Sequence, residues 1–107
     1  MVLKKIQAII RVSKFENVKA ALQDFGVETF TYADVSGVSF LDEKKGSYRG
    51  FAVTEAGAIP RKSIEIIVPE IDAMDIVERI KKVAATGIPG DGKIFVSTID
   101  EAVHISI

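Results

Sequence analysis

The sequence of 107 residues contains no cysteine, no tryptophan and only one histidine. The absence of cysteine excludes disulfides, thiolate metal sites and cysteine nucleophiles, and a single histidine supplies a soft transition-metal site poorly. No apolar run approaches the roughly 20 residues that span a bilayer, and the amino terminus lacks the apolar stretch of a signal peptide. We therefore expect a soluble, cytoplasmic protein with no metal site and no direct membrane insertion.

The charge is nearly balanced, with 14 Lys and Arg residues against 15 Asp and Glu residues. A net charge of -1 creates no long-range field for nucleic acid or an anionic membrane, so neither is an expected partner. The composition, 48% hydrophobic and 27% charged, is typical of a globular domain, and the length predicts one domain over 1–107.

The first half of the chain predicts a strand–helix–strand unit. Apolar alternation indicates a strand over 3–11, and β-branched and aromatic residues indicate another over 29–35. Between them, Ser13 and Glu16 have the spacing of a capping box, which predicts a helix over 14–25 that ends at Gly26.

The second half repeats this order with a strand over 63–68, a helix opened by Pro69 and a strand over 93–98. The helix carries one apolar stripe, formed by Ile76, Val77, Ile80, Val83 and Ala84. A short strand is predicted over 102–107. We therefore expect an α+β protein of the ferredoxin-like split-βαβ class (βαββαβ), with both helices on one face of the sheet and a short C-terminal strand.

The segment 37–60, between the second and third strands, has no consistent period and combines glycines with charges of both signs. Loops of this length in a compact domain are usually functional or disordered. We expect a long mobile loop, with a projecting β-hairpin as the alternative.

The connection from Thr86 to Val96 is the most informative stretch for chemistry. Its glycines can expose successive backbone N–H groups, and Lys93 adds a point positive charge at its exit, an arrangement that suits a phosphate. An ordinary helix-to-strand turn with a solvated lysine explains the same residues, so both readings stay open at this point.

The run Thr-Gly-x-x-Gly-Asp-Gly-Lys-Ile-Phe that begins at Thr86 resembles the carboxy-terminal signature of PII signalling proteins, which act in nitrogen regulation. Further matching residues are Lys5-Ile6-x-Ala8-Ile9-Ile10-Arg11, Tyr48-Arg49-Gly50, Pro60, Ile64-Glu65-Ile66 and Val68-Pro69. The resemblance implies a non-catalytic homotrimer that binds an adenine nucleotide in clefts between subunits. It also implies a loop that contacts a membrane transporter, a metabolic enzyme or a regulator.

Residues that match the family's nucleotide site are Thr31, Gly37, Arg61, Glu65, Ile67, Gly90, Asp91, Gly92, Lys93, His104 and Ser106. The last two stand where the family has arginines that hold the outer phosphates of ATP. Two lost charge-assisted contacts correspond to about 3–6 kcal/mol of binding free energy, so ADP or AMP is favoured over ATP. Leu41 replaces the family's glutamine, which makes binding of magnesium and 2-oxoglutarate doubtful.

The family's partner-binding loop is matched by Phe40, Tyr48, Arg49 and Phe51. Val53 and Phe51 stand where some members are nucleotidylated or phosphorylated, so neither modification is possible at those positions. Two alternatives remain: a PII-like sensor of another small anion such as bicarbonate, and a structural or metal-binding trimer of the copper-tolerance type.

Overall fold

A computed structural model describes residues 1–40 and 58–106. The elements are β1 (Leu3–Arg11), a 3-10 turn (Val12–Lys14), α1 (Phe15–Phe25), β2 (Thr31–Gly37), β3 (Ile59–Pro69), α2 (Glu70–Ala84) and β4 (Gly92–Ile99). The four strands form one antiparallel sheet in the order β2-β3-β1-β4. This confirms the α+β, ferredoxin-like prediction. Within the described ranges no helix is long and apolar enough to cross a membrane.

The core lies between one face of the sheet and the two helices, as predicted. Alternate strand residues and the apolar stripes of both helices are buried there, including Ile6, Ala8, Ile10, Ile64, Ile66, Val18, Leu22, Ile76 and Ile80. Burial of one such aliphatic side chain stabilises the fold by about 1.5–3 kcal/mol. Because side chains alternate along a strand, a slip of one residue would exchange the two faces, so the core fixes the register of the sheet.

The opposite face of the sheet carries no helix and is called the open sheet face below. It presents the residues that alternate with the core, among them Gln7, Ser63 and Glu65. It also presents Ile67 and Phe95, whose exposed fractions are 49% and 50%. Large apolar side chains on a face without covering helices mark a surface that another molecule can cover.

The start of α1 differs from the predicted capping box. The helix begins at Phe15, its N-cap is Lys14, and no side chain caps it. Ser13 lies inside the 3-10 turn, where the Phe15 amide donates to the carbonyl of Val12. Because this turn already provides a backbone acceptor, Ser13 is not at the capping position. The end of α1 is as predicted, since Gly26 takes a left-handed φ of 106°.

The start of α2 also differs by one residue. Pro69 is the last residue of β3 and the N-cap of α2, with extended backbone angles, so the first helical residue is Glu70. The Glu70 amide donates to the carbonyl of Val2 at 2.9 Å. The amino terminus of the chain therefore supplies the acceptor that the helix start requires.

The two strands that flank the predicted long loop have bounds that differ from the predicted ones. β2 runs from Thr31 to Gly37 rather than over 29–35, and Phe30 packs against the core instead of joining the ladder. β3 begins at Ile59, which pairs with Gly37, so both ends of the predicted 37–60 loop belong to strands. Pairing between these strands extends them beyond what local sequence preference indicates.

The predicted strand over 102–107 is not formed in the described part of the chain. Residues 101–106 belong to no strand, and Val103 and Ile105 are 83% and 105% exposed. A strand needs a neighbouring strand for its N–H and C=O groups, and among the described residues none pairs with this segment. Its apolar alternation alone is therefore insufficient to form a strand within one chain.

A lysine on the face of the sheet that the helices cover contacts both β2 and α1. The Lys62 ammonium lies 5.0 Å from the ring centroids of both Phe15 and Tyr32 and pairs with Asp34 at 2.5 Å. The hydrogen bond to Asp34 raises the pKa of Lys62. The arrangement joins the edge strand β2 to α1, whose Phe15 ring also lies 4.9 Å from the Tyr32 ring.

Candidate functional site

The glycine-rich connection between α2 and β4 folds around the side chain of Asp91. Its carboxylate accepts hydrogen bonds from the amides of Thr86 at 2.9 Å and Gly87 at 3.2 Å, and from the Thr86 hydroxyl. The Thr86 hydroxyl oxygen in turn accepts from the Ile88 amide at 3.1 Å. We call residues 86–93 the anion turn. These bonds use the amides of Thr86, Gly87 and Ile88.

Arg11, the last residue of β1, contacts the anion turn through its guanidinium group. It is only 4% exposed, and its Nε donates to Asp91 Oδ1 at 2.8 Å. Its Nη2 donates to the carbonyls of Ile88 at 3.2 Å and Pro89 at 3.3 Å. The planar guanidinium thus holds a carboxylate and two backbone carbonyls at once, which a lysine cannot do.

Sequence reasoning missed this role of Arg11, which it counted only as part of a matching motif. Charge complementarity between an arginine at a strand end and an aspartate in a turn was the available signal. The two residues lie 80 positions apart. Without the pairing of β1 with β4, nothing in the sequence connects them.

The environment of Asp91 stabilises its charged form. Desolvation acts to raise the pKa of this carboxyl, but hydrogen bonds from the Thr86 hydroxyl and amide, from Arg11 and from the Gly87 amide outweigh it. The pKa of Asp91 is therefore held well below its usual range. The carboxylate stays ionised at neutral pH and is satisfied within the anion turn.

Gly92 is required by the close approach of two backbones. It has a φ of 120°, and a Cβ at this position would lie 1.9 Å from the carbonyl oxygen of Ile9. Any other residue would force β4 away from β1 at the point where the anion turn enters the sheet.

The sheet register places two of the predicted site residues beside this turn. Arg61 is the partner of Arg11 across the β1–β3 ladder, and Lys93 is the partner of Ile9 across the β1–β4 ladder. Gly37 ends β2 two rungs beyond the pair Val35–Arg61. One end of the sheet therefore gathers three cationic side chains, Arg11, Arg61 and Lys93, around a turn with a single carboxylate. This end suits a phosphate or another anion.

Three other predicted residues form a second group on the open sheet face. Thr31 pairs directly with Glu65, and Ile67 follows on the same face of β3. The Glu65 carboxylate also pairs with Lys5 at 3.1 Å. Glu65 lies four residues from Arg61 along a strand, which corresponds to about 13 Å. A single chain thus separates the predicted residues into two groups rather than closing one site.

The remaining predicted residues are not brought to either group. His104 and Ser106 are exposed in the segment 101–106. Phe40 is 80% exposed at the end of the described part of the long loop. Leu41, Tyr48, Arg49, Phe51 and Val53 lie outside the described residues, so the predictions that concern them stay predictions.

A cleft of about 370 Å³ adjoins the anion turn on the helix side, between α2 and β4. Its floor is apolar, with Val77, Ile80 and Ala84, and its rim carries Lys81 and Lys93. No cluster of three or more His, Cys, Asp or Glu residues that could hold a metal occurs in residues 1–40 and 58–106.

Comparison with known proteins agrees with this geometry. A family model described as nitrogen regulatory protein P-II matches residues 3–107. A nitrogen regulatory protein P-II 2 of Methanothermobacter thermautotrophicus is 43% identical, over 96% of this chain and 89% of that protein. The nitrogen regulatory protein P-II of Rhizobium meliloti is 36% identical, over 96% and 91%.

A solved structure of Arabidopsis thaliana PII bound to citrate is similar in fold, with a TM-score of 0.76 and 25% identity. The match covers 96% of this chain and 80% of the plant chain. P-II proteins are oligomeric, bind small effector ligands and interact with target proteins. The chain belongs to the nitrogen regulatory protein P-II family, whose members are regulatory signal transducers and not enzymes.

Proposed function

We propose that this protein is a cytoplasmic homotrimeric sensor that binds an adenine nucleotide in clefts between its subunits. The nucleotide state is passed to a transporter, an enzyme or a regulator through the segment between β2 and β3. The whole chain, 1–107, acts as one domain in this proposal.

The observation that carries the proposal is the division of the predicted residues into two groups on one sheet. The anion turn with Arg61 and Lys93 is one group, and Thr31, Glu65 and Ile67 form the other about 13 Å away. If the open sheet faces of three copies meet, the anion turn of one copy can face the second group of its neighbour. The phosphates then lie at the anion turn, and the base packs against Ile67.

The type of nucleotide follows from charge. The positive charges of Lys93 and Arg61 can neutralise one or two phosphates, and the backbone of the anion turn can add hydrogen bonds. His104 and Ser106 add hydrogen bonds but no second pair of guanidinium groups, so the γ-phosphate of ATP lacks a strong partner. We therefore expect ADP or AMP to bind more tightly than ATP.

Calorimetry with AMP, ADP and ATP tests this proposal. Lys93→Ala should weaken binding of ADP by about tenfold or more, because it removes a charge-assisted contact of roughly 1.5–3 kcal/mol. Lys19→Ala is the matched control, since Lys19 is an exposed lysine on α1 whose recorded ion pair is with Glu16. The proposal fails if none of the three nucleotides binds at millimolar concentration, and the narrower preference fails if ATP binds at least tenfold more tightly than ADP.

A small carboxylate or bicarbonate is the second candidate ligand. The related plant structure is of a PII protein bound to citrate, so this fold accommodates a carboxylate anion. The cationic groups at the anion turn suit such an anion equally. A thermal-shift series with citrate, bicarbonate and chloride at equal ionic strength separates the two: stabilisation by bicarbonate or citrate but by no nucleotide would favour this candidate.

The oligomeric part of the proposal has its own measurement. Sedimentation equilibrium of the intact protein should give three times the monomer mass of 11.6 kDa at micromolar concentration. A monomer under these conditions would leave the two residue groups on separate molecules and would contradict a shared cleft.

A further inference from the structure

The side chain of Asp91 is used completely within the anion turn. Its Oδ2 accepts from the amides of Thr86 and Gly87, and its Oδ1 accepts from the Thr86 hydroxyl and from Arg11 Nε. Arg11 lies under the turn, almost fully buried, and Thr86 and the carbonyls of Ile88 and Pro89 hold its Nη2. These bonds engage both carboxylate oxygens of Asp91 and the Nε and Nη2 of Arg11.

We propose that Arg11 and Asp91 are positioning residues of the anion site: they fix the backbone of the turn so that the Gly90 amide and the Lys93 ammonium meet the ligand. This inference rests on the proposed function, because it concerns how the same site binds its anion. In this inference the Asp91 carboxylate does not contact the ligand and acts instead through the backbone of the turn. Arg11 joins the residues that determine affinity.

The physical argument is that an anion site made of backbone N–H groups depends on their direction. Two glycines in the turn, Gly87 and Gly90, have φ values of 80° and 97°, a region that costs a glycine little and does not hold it in place. Something else must restrict the turn, and the Arg11–Asp91 bridge does so from both sides. Arg11 holds two carbonyls, and Asp91 holds two amides, so peptide planes on either side of Gly87 are fixed.

This role and simple electrostatics predict different results for two conservative variants. Asp91→Asn removes a negative charge next to an anion site, which by electrostatics alone would tighten binding. Arg11→Lys keeps the positive charge, which by electrostatics alone would leave binding unchanged. If the two residues position the turn, both variants weaken binding. In Asp91→Asn the amide cannot accept at both of its former oxygen positions, and in Arg11→Lys the forked contact to two carbonyls is lost.

The experiment is calorimetric titration of the intact protein with ADP and, separately, with inorganic phosphate. It is accompanied by amide NMR spectra in which the Gly90 resonance reports on the turn. We expect both variants to weaken ADP and phosphate by about tenfold or more, the loss of roughly one charge-assisted hydrogen bond. The Gly90 amide should also lose its ligand-induced shift. Unchanged or tighter binding by Asp91→Asn would overturn the inference while leaving the proposed function intact.

One control and one further variant distinguish this result from a simple loss of stability. Val18→Ala shortens a fully buried side chain of α1, a helix that carries none of the predicted site residues, and lowers stability; it should bind ADP like the natural protein. Thr86→Val removes the hydroxyl that joins Asp91 to the Ile88 amide and to Arg11, and it repeats the test if Asp91→Asn does not fold. If the natural protein binds neither ADP nor phosphate, the proposed function and this inference both fail.

Discussion

Substitution of Gly92 by alanine provides a sharp test of the way the anion turn enters the sheet. The added Cβ would lie 1.9 Å from the Ile9 carbonyl oxygen, and the atoms it meets belong to the backbone of paired strands. A tolerable contact needs a separation of about 3 Å or more, so β4 would have to move by more than roughly 1 Å relative to β1. Neither strand can yield by turning a side chain.

The cost has three parts. Overpacking against a rigid neighbour costs about 1–3 kcal/mol, the left-handed φ of 120° costs an alanine about 1–2 kcal/mol, and a weakened ladder bond adds about 1 kcal/mol. We expect a loss of about 3–6 kcal/mol in the free energy of unfolding. This is a large fraction of the roughly 5–15 kcal/mol that a domain usually possesses.

Gly26→Ala is the matched control. Gly26 has a similar φ of 106°, but a Cβ there would meet nothing within 4 Å, so its cost should be the conformational 1–2 kcal/mol alone, by the same approximate scale. Urea unfolding followed by circular dichroism, at one fixed protein concentration, measures both variants. Equal losses for the two would refute the assignment of Gly92 to a backbone contact.

Three further predictions concern the ionisation of Asp91, the packing of the core and the open sheet face. Because the pKa of Asp91 is lowered in the fold, its stabilisation is complete above its ordinary value of 3.8 and is lost as pH falls below it; Asp91→Asn should flatten this part of a urea-midpoint profile between pH 2 and 7. Ile80→Ala, at a fully buried position, should lower the free energy of unfolding by about 2–5 kcal/mol in the same assay at neutral pH. Phe95→Glu, on the open sheet face, should dissociate the proposed trimer in sedimentation, whereas Ile71→Glu on the exposed side of α2 should not. A trimer that persists in both variants would place the interface elsewhere.

Local patterns were sufficient for most of the fold. Alternation in β1, the stripe of α2 from Ile76 to Ala84 and the glycine that ends α1 each specify an element through nearby residues alone, and the structure agrees with all three. The family resemblance, drawn largely from the run beginning at Thr86, is confirmed by the match to the P-II family model.

The errors arose where distant residues decide the local structure. β3 extends to Ile59 because β2 is present to pair with it. The cap at Ser13 is an exception, because the local 3-10 turn Val12–Lys14 occupies its position. The segment 102–106 alternates like a strand but finds no partner strand among the described residues. In the site, the link between Arg11 and Asp91 depends on strand pairing, which no local pattern contains. The predicted ligand contacts stay predictions.

The facing pair of Gly37 and Ile59 has a consequence for how recognition could evolve in this protein. The two ends of the intervening stretch leave the sheet side by side, separated by about 5 Å. Insertions or deletions between them change the entropy of chain closure only slowly with length, so they leave the rest of the molecule nearly undisturbed. The part that would select a partner can therefore diversify in length and chemistry while the folded body stays constant.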